Sequence, residues 1–389
     1  MIPYSRQNID KNDIKSVTKV LKSDYLTQGP KVETFEKKIS KYCGVKFGVA
    51  VNSATSALHI ACISLELKKE DIVWTSPNSF VASANCALYC GATIDFVDID
   101  PKTFNMSIES LKKKLELSKK EKKLPKVVIP VHFAGQPINM GEIYRLSKIY
   151  KFKIIEDASH ALGAIYYHNK KKIKVGSCKH SHITVLSFHP VKIITSGEGG
   201  IALTNDKKIF DKLKMLRTSG ITRDKKLMKK SIKGMWYYEQ LMLGYNYRLN
   251  EIQAALGIQQ LKKINKLNNL RNKIAKKYNL SLKTLPLYLP HINSGFKSSF
   301  HLYVVVLKNN KKKIDRAKLF NKLRKFGILV NVHYIPIYRH PFYQNLGFNP
   351  ADFPNCEKYY KNAISIPIFP GLKKKQQDYV ISCFKKIFK

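Results

Sequence analysis

The stretch KVVIPVHFAGQPINMGEIYRLSKIYKFKIIED, residues 126–157, reads as strand, helix and strand. Its first part, 126–133, is apolar without in/out alternation, which suits a strand covered on both faces. Residues 140–150 carry apolar side chains at helical spacing. Residues 153–157 form a second short strand that ends on Asp157. Two strands joined by a crossover helix predict a parallel pair.

The same alternation continues on both sides. Further strands are predicted at 47–51 (FGVAV), 71–76 (DIVWTS), 93–99 (TIDFVDI), 183–188 (ITVLSF) and 200–205 (GIALTN), with a helix in ATSALHIACISL between the first two. The expected class is α/β, with a mainly parallel sheet and helices on both faces. From about Leu249 a long helical pattern begins, with Ile252, Leu256, Ile258 and Leu261 spaced for one buried face. It leads to a smaller α+β region holding 300–307 and 327–337. The boundary is expected near Asn250, dividing the chain into 1–250 and 251–389. Internal repeats and disordered linkers are not evident.

At 389 residues, 44% of them apolar, the chain can bury a large core. It has no apolar run of the roughly 18 residues that a membrane helix needs, so no membrane partner is expected. MIPYSRQNID lacks a basic head followed by an apolar stretch, so no signal peptide is expected. The seven cysteines are scattered without a CxxC pair or a His/Cys cluster of metal-ligand spacing. The expectation is free thiols in a reducing cytoplasm and no metal.

Net charge is +43, which invites a nucleic-acid reading. The excess is nearly all lysine, in runs such as 111–126, 169–174 and 309–315. These lack the interleaved aromatics and arginines that stack bases and grip phosphates. Solvated surface lysines and no nucleic-acid partner are expected, and a role with acidic partners stays open. A small anionic substrate would gain from the same field.

SFHPVKIITSGEGG (187–200) sets Lys192 among Val191, Ile193 and Ile194. Alone, this is a lysine snorkelling from a strand end. Asp157 sits where ligands of open α/β sheets bind, though alone it reads equally as a helix cap. NSATSAL (52–58) opens a helix with small residues, which is either an anion site or a plain N-cap. Ser187 ends a strand close by. Phe80 occupies a strand-to-helix connection, as a ring-stacking aromatic or an ordinary core residue. Together these groups meet the needs of pyridoxal 5'-phosphate (PLP): an amine for its carbonyl, a carboxylate for its ring nitrogen, donors for its phosphate and an aromatic for its ring. Apolar surroundings favour the neutral, nucleophilic amine.

LTQGP, NSATSAL, EDASHALGA, SFHPVK, GEGG, GYNYRLNEIQAALG, HYIPIY and SIPIFPG follow in one order. With them the chain resembles the DegT/DnrJ/EryC/StrS sugar aminotransferases, a fold-type I PLP family, from residue 2 to about 385. The resemblance implies an aspartate aminotransferase-like fold and a catalytic, cofactor-bearing Lys192. It implies Asp157 at the ring nitrogen, His160 beside the ring, Phe80 stacked on it, and Ala54, Thr55 and Ser187 around the phosphate. Asn246 resembles a phosphate ligand from the neighbouring subunit, which implies a homodimer with composite active sites. Tyr4, Asp24, Tyr25, Leu26, Thr27, Asn331, Val332, His333, Tyr334 and Tyr338 resemble contacts to a nucleotide-sugar substrate, with L-glutamate as amino donor.

IPYSRQ (2–7) and VNVHYIPIY (330–338) are similar to the branch that acts on UDP-4-keto sugars in pseudaminic acid synthesis. The implied acceptor is UDP-2-acetamido-2,6-dideoxy-β-L-arabino-hex-4-ulose; another 4-keto or 3-keto sugar is the alternative. The dehydratase branch carries histidine where this chain has Lys192, which argues for transamination. A regulatory or nucleic-acid-binding protein on the same fold is disfavoured by the intact Lys192 and Asp157. Ser219, in RTSGITRD, departs from the family's usual histidine. Lysine-rich insertions near 118–123 and 168–174 read as surface loops.

Overall fold

The structure is a computed structural model that describes residues 1–230, 234–309 and 314–389. Part of the lysine run at 309–315 therefore lies outside the described residues. Seven strands form the large sheet: β1 (Phe47–Val51), β2 (Ile72–Thr75), β3 (Thr93–Phe96), β4 (Val127–Ile129), β5 (Lys153–Asp157), β6 (Ile183–Ser187) and β7 (Gly200–Thr204). All seven lie within the predicted stretches. Their order is β1-β7-β6-β5-β4-β2-β3. Only β7 pairs antiparallel with its neighbours, so the sheet is mainly parallel.

Strand residues alternate between two cores. Val127, Ile129, Ile155 and Val185 pack into one, and Val128, Ile154 and Leu186 into the other. Every one of them is fully buried. That is why these strands read as unbroken apolar runs: both pleat faces are covered.

Helices α1 (Lys11–Leu21), α2 (Pro30–Cys43), α3 (Ala54–Ser64), α4 (Ala82–Leu88), α5 (Ile108–Lys120), α6 (Met140–Tyr150) and α7 (Lys207–Arg217) precede α8 (Glu251–Lys262) and α9 (Ile264–Leu282). Helix α5 carries much of one lysine run. Leu111 and Leu115 face inward, Lys113, Lys119 and Lys120 are exposed, and Lys114 is half-buried against Asp95.

Helix α8 differs from expectation. Ile258 and Leu261 are buried as expected, but Ile252 and Leu256 are only partly covered. The rest of the buried surface comes from small and polar residues: Ala254, Ala255, Gly257 and Gln260. A Cβ on Gly257 would meet the Phe35 ring at 2.7 Å, so α8 lies too close to α2 for a larger side chain. The buried Glu251 accepts from the Lys31 and Val32 N–H groups at 2.7 and 3.0 Å, capping the N-terminus of α2.

Two expected loops are more ordered. Residues 165–174 form a hairpin, Ile165–His168 against Lys171–Lys174. Residues 118–120 still belong to α5, and a turn follows.

A second sheet holds β8 (Leu287–Tyr288), β9 (Tyr303–Leu307) and β10 (Ala363–Ile366), in that order and antiparallel. Its core takes Ile274, Ala275, Tyr278 and Leu282 from α9, whereas Ile264 and Leu267 of the same helix pack with the large sheet. Ile2–Pro3 pairs in parallel with Ile328–Leu329. The chain's first residues are thereby fixed beside the segment 331–334. Among the described residues no helix is long and apolar enough to cross a membrane.

Candidate active site

The C-terminal ends of β1, β5 and β6 and the start of β7 meet at one edge of the sheet, because β7 runs against the others. A cavity of about 410 Å³ opens there.

Lys192 stands on the loop between β6 and β7. Phe188, Ile193 and Ile194 are buried beneath this loop and anchor it. Backbone bonds close it: Phe188 N–H donates to Gly199 O, and Ser196 N–H to Phe188 O, each at 2.9 Å. Gly197 takes a left-handed φ of +84° that makes the turn back. The lysine's apolar neighbours are thus the feet of a loop that presents its amine to the cavity. Burial lowers the Lys192 pKa to about 8, against the opposing pull of the Asp157 and Glu198 carboxylates.

Asp157 ends β5 and is buried at 5% exposure. Its Oδ1 accepts from the Ser159 N–H at 3.1 Å, and its Oδ2 from the Ser83 hydroxyl at 2.7 Å. The helix-cap reading fails to account for the second bond, which comes from α4 in another part of the sequence.

His160 is buried, and burial holds its pKa well below the usual value, with the Lys192 and His333 charges adding to this. The ring is therefore neutral. Its centroid lies 4.3 Å from that of His301, which is likewise held neutral by burial.

Helix α3 starts at Ala54 after the N-cap Ser53, whose hydroxyl accepts from Ser56 N–H at 3.1 Å. The N–H groups of Ala54 and Thr55 belong to the first turn, where helices have no internal acceptor. A Cβ on Gly200 would stand 2.5 Å from Ala54 N and from Ser53 O. Glycine at 200 therefore lets the helix start lie directly against the sheet edge, beside Ser187.

Phe80 lies in the β2–α4 connection and lines the cavity with 57% exposure. The core reading of this residue is thereby removed. Tyr4, His333 and Tyr334 line the same cavity. His333 Nδ1 is 2.8 Å from Ser365 Oγ, and burial lowers its pKa to about 4.

Other expected residues are elsewhere. Tyr338 is a correction: it is fully buried, its ring stacks on Phe353 at 4.6 Å, and its hydroxyl donates to Glu357 at 2.8 Å. It has no surface left for a substrate. Asn331 is exposed, with its backbone paired to Ser365; neither it nor Val332 lines the cavity. Asp24, Tyr25, Leu26 and Thr27 are exposed near the start of α8, where Leu26 O accepts from Glu251 N–H. Asn246 is also exposed and outside this chain's cavity.

Ser83, Ser53, Glu198 and His301 line the cavity without having been singled out. Ser53 is part of the quoted NSATSAL and Glu198 of GEGG. Ser83 lies in a run of small residues, and His301 sits just before a strand, so neither position has a distinguishing local signal.

The residues present fit PLP. A helix N-terminus with room cleared by Gly200 suits a phosphate, Asp157 can hold a proton on a ring nitrogen, and Lys192 can supply a neutral amine. The DegT/DnrJ/EryC1/StrS aminotransferase family model matches residues 7–385.

The chain belongs to this family. It is 39% identical over 381 residues to the UDP-4-amino-4,6-dideoxy-N-acetyl-β-L-altrosamine transaminase of Campylobacter jejuni serotype O:2, covering 98% of this chain and 96% of that one. Helicobacter pylori PseC, an aminotransferase involved in pseudaminic acid biosynthesis, superposes with a TM-score of 0.88 at 33% identity, covering 100% and 99% of the two chains. The PLP form of the sugar aminotransferase Spr1654 of Streptococcus pneumoniae superposes with a TM-score of 0.87 at 28% identity, covering 99% and 98%. The protein is a PLP-dependent sugar aminotransferase of the fold expected for that group.

Proposed function

We propose that the chain moves the amino group of L-glutamate to the C4 ketone of UDP-2-acetamido-2,6-dideoxy-β-L-arabino-hex-4-ulose, a step of pseudaminic acid biosynthesis. The observation that carries this reading is the meeting of Tyr4, His333 and Tyr334 with Lys192 and Asp157 around one cavity. The first three come from IPYSRQ and VNVHYIPIY, the stretches that set this branch apart.

Bound PLP supplies a carbonyl that takes up the donor's amine and an electron-poor ring that stabilises negative charge at the donor's α-carbon. Asp157 holds the proton on the ring nitrogen. Ala54 and Thr55 N–H groups and the Ser187 hydroxyl bind the phosphate. Phe80 covers the ring, and His160 stays neutral beside it. Lys192 Nζ would hold the cofactor in the resting enzyme; displaced by the donor's amine, the freed Nζ would take a proton from the donor's α-carbon and later deliver one to the sugar C4.

The functional unit is a homodimer in the cytoplasm. Asn246 and the segment 24–27 complete the site of the other subunit, which accounts for their exposure here. The chain divides into 1–250 and 251–389, with α8 and the start of α9 tying the second part to the first. The lysine surface serves no nucleic acid and no membrane.

The test compares kcat/KM on the L-arabino and D-xylo 4-keto epimers with L-glutamate saturating. A preference for L-arabino of tenfold or more is expected, since one unpaired buried polar group costs about 1–3 kcal/mol. Equal or better use of D-xylo overturns the assignment of the sugar and favours another keto sugar.

A further inference from the structure

Asp157 is buried, and a buried carboxylate needs donors to stay charged. One of its two partners, Ser159 N–H, is local. The other is Ser83 Oγ, brought from α4, which follows β2, two strands away from β5 in the sheet. A carboxylate oxygen accepts here, so the single Ser83 hydroxyl proton is committed to Asp157 Oδ2 at 2.7 Å. Ser83 Oγ also lies 2.8 Å from Ser79 Oγ. With its own proton spent, Ser83 accepts in that bond and Ser79 donates. The direction of the chain is therefore fixed: Ser79 to Ser83 to Asp157. Both serines are buried, at 4% and 1% exposure.

We infer that Ser83, polarised by Ser79, is a positioning residue that holds the Asp157 carboxylate aimed for the cofactor's ring nitrogen. This rests on the reading that Asp157 serves that nitrogen. Ser83 acts through Asp157, and its hydroxyl does the work of a charge-assisted bond, which is stronger than a neutral one. Ser79 acts only through Ser83. Without Ser83 the carboxylate keeps the shared proton more tightly, and the ring nitrogen carries less positive charge. A proton at Lys192 Nζ is then less repelled, so the midpoint of the loaded protein's visible absorption titration moves to higher pH.

The experiment loads wild type, Ser83→Ala, Ser79→Ala and the double variant with PLP. It follows visible absorption against pH and measures PLP affinity by equilibrium dialysis. For Ser83→Ala the midpoint is expected to rise by about one pH unit and PLP affinity to fall about tenfold, the scale of one charge-assisted hydrogen bond. Ser79→Ala shifts both in the same direction by less. The double variant matches Ser83→Ala, because residues acting in series are not additive.

Unshifted midpoints and affinities in both single variants overturn the inference, as do fully additive shifts in the double variant. If Ser83→Ala does not fold, the Ser79→Ala shift decides alone. A wild type that shows no pH-dependent PLP absorption overturns the underlying reading of the site, and this inference with it.

Discussion

His160 donates a hydrogen bond from Nε2 to the Tyr334 hydroxyl oxygen across 3.1 Å. The direction follows from the other side of the ring. Ala134 N–H donates to His160 Nδ1 at 3.2 Å, so Nδ1 bears no proton. Burial keeps the ring neutral, and its one proton is therefore on Nε2. Tyr334 accepts that hydrogen bond and keeps its own hydroxyl hydrogen for the cavity it lines. Burial also raises the Tyr334 pKa, so the hydroxyl remains a donor.

Tyr334→Phe is expected to lower kcat/KM for the sugar about five- to tenfold, the value of one neutral hydrogen bond, with the fold intact. Steady-state kinetics beside a thermal melt checks this. Unchanged kinetics would remove Tyr334 from the substrate contacts.

The Lys192 pKa of about 8 predicts how the apo protein takes up PLP. The neutral amine reacts, so the capture rate should rise with pH through a midpoint near 8. Asp157→Asn removes a charge that holds this pKa up, so its midpoint should fall. The sign for stability is opposite to that of a paired lysine. The folded pKa lies below the ordinary value of 10.5, so between about 8 and 10.5 the unfolded chain binds more protons. This group's contribution to stability therefore rises with pH across that window. Stopped-flow absorbance and urea melts at several pH values measure the two effects.

Gly200→Ala should weaken PLP binding tenfold or more. The added Cβ meets backbone at Ala54 N and Ser53 O, at 2.5 Å each, and backbone cannot rotate away as a side chain can. Overpacking of this kind costs about 1–3 kcal/mol. Equilibrium dialysis with PLP reads the loss. Wild-type affinity would show that α3 does not supply the phosphate site.

Much of this was legible in the sequence. The seven sheet strands were visible because β-branched runs buried on both faces are unlike anything helical nearby. Lys192 stood out against its apolar neighbours. The bond from Ser83 to Asp157 was not legible, because it joins residues 74 positions apart and Ser83 looks like any small helix residue. Tyr338 misled because its motif neighbours His333 and Tyr334 do reach the cavity, while the backbone turns Tyr338 into the core against Phe353. The face of α8 was misread because close packing on α2 favours Ala254, Ala255 and Gly257, which carry little hydrophobic signal. The hairpin at 165–174 hides in a lysine run whose strand Lys171–Lys174 is mostly exposed.

The proposed composite sites predict complementation between subunits. Lys192→Ala and Asn246→Ala homodimers should each be nearly inactive. After subunit exchange, heterodimers rebuild some native sites, and activity should rise well above the sum of the separate parents. Mass spectrometry of differently tagged subunits confirms exchange. No gain despite exchange would place Asn246 outside the neighbouring subunit's site.

The most direct test of amino transfer follows the nitrogen itself. Purified enzyme loaded with PLP is given L-glutamate labelled with ¹⁵N at the α-amine and the UDP-linked L-arabino 4-keto sugar. The sugar product is then analysed by mass spectrometry and ¹⁵N NMR. The account predicts label at C4 of the product amino sugar in wild type. Lys192→Ala should show none, a loss of several orders of magnitude in rate as expected for a group that acts in every step. Recovery of the keto sugar without label from the wild-type enzyme, or equal labelling by Lys192→Ala, would contradict it.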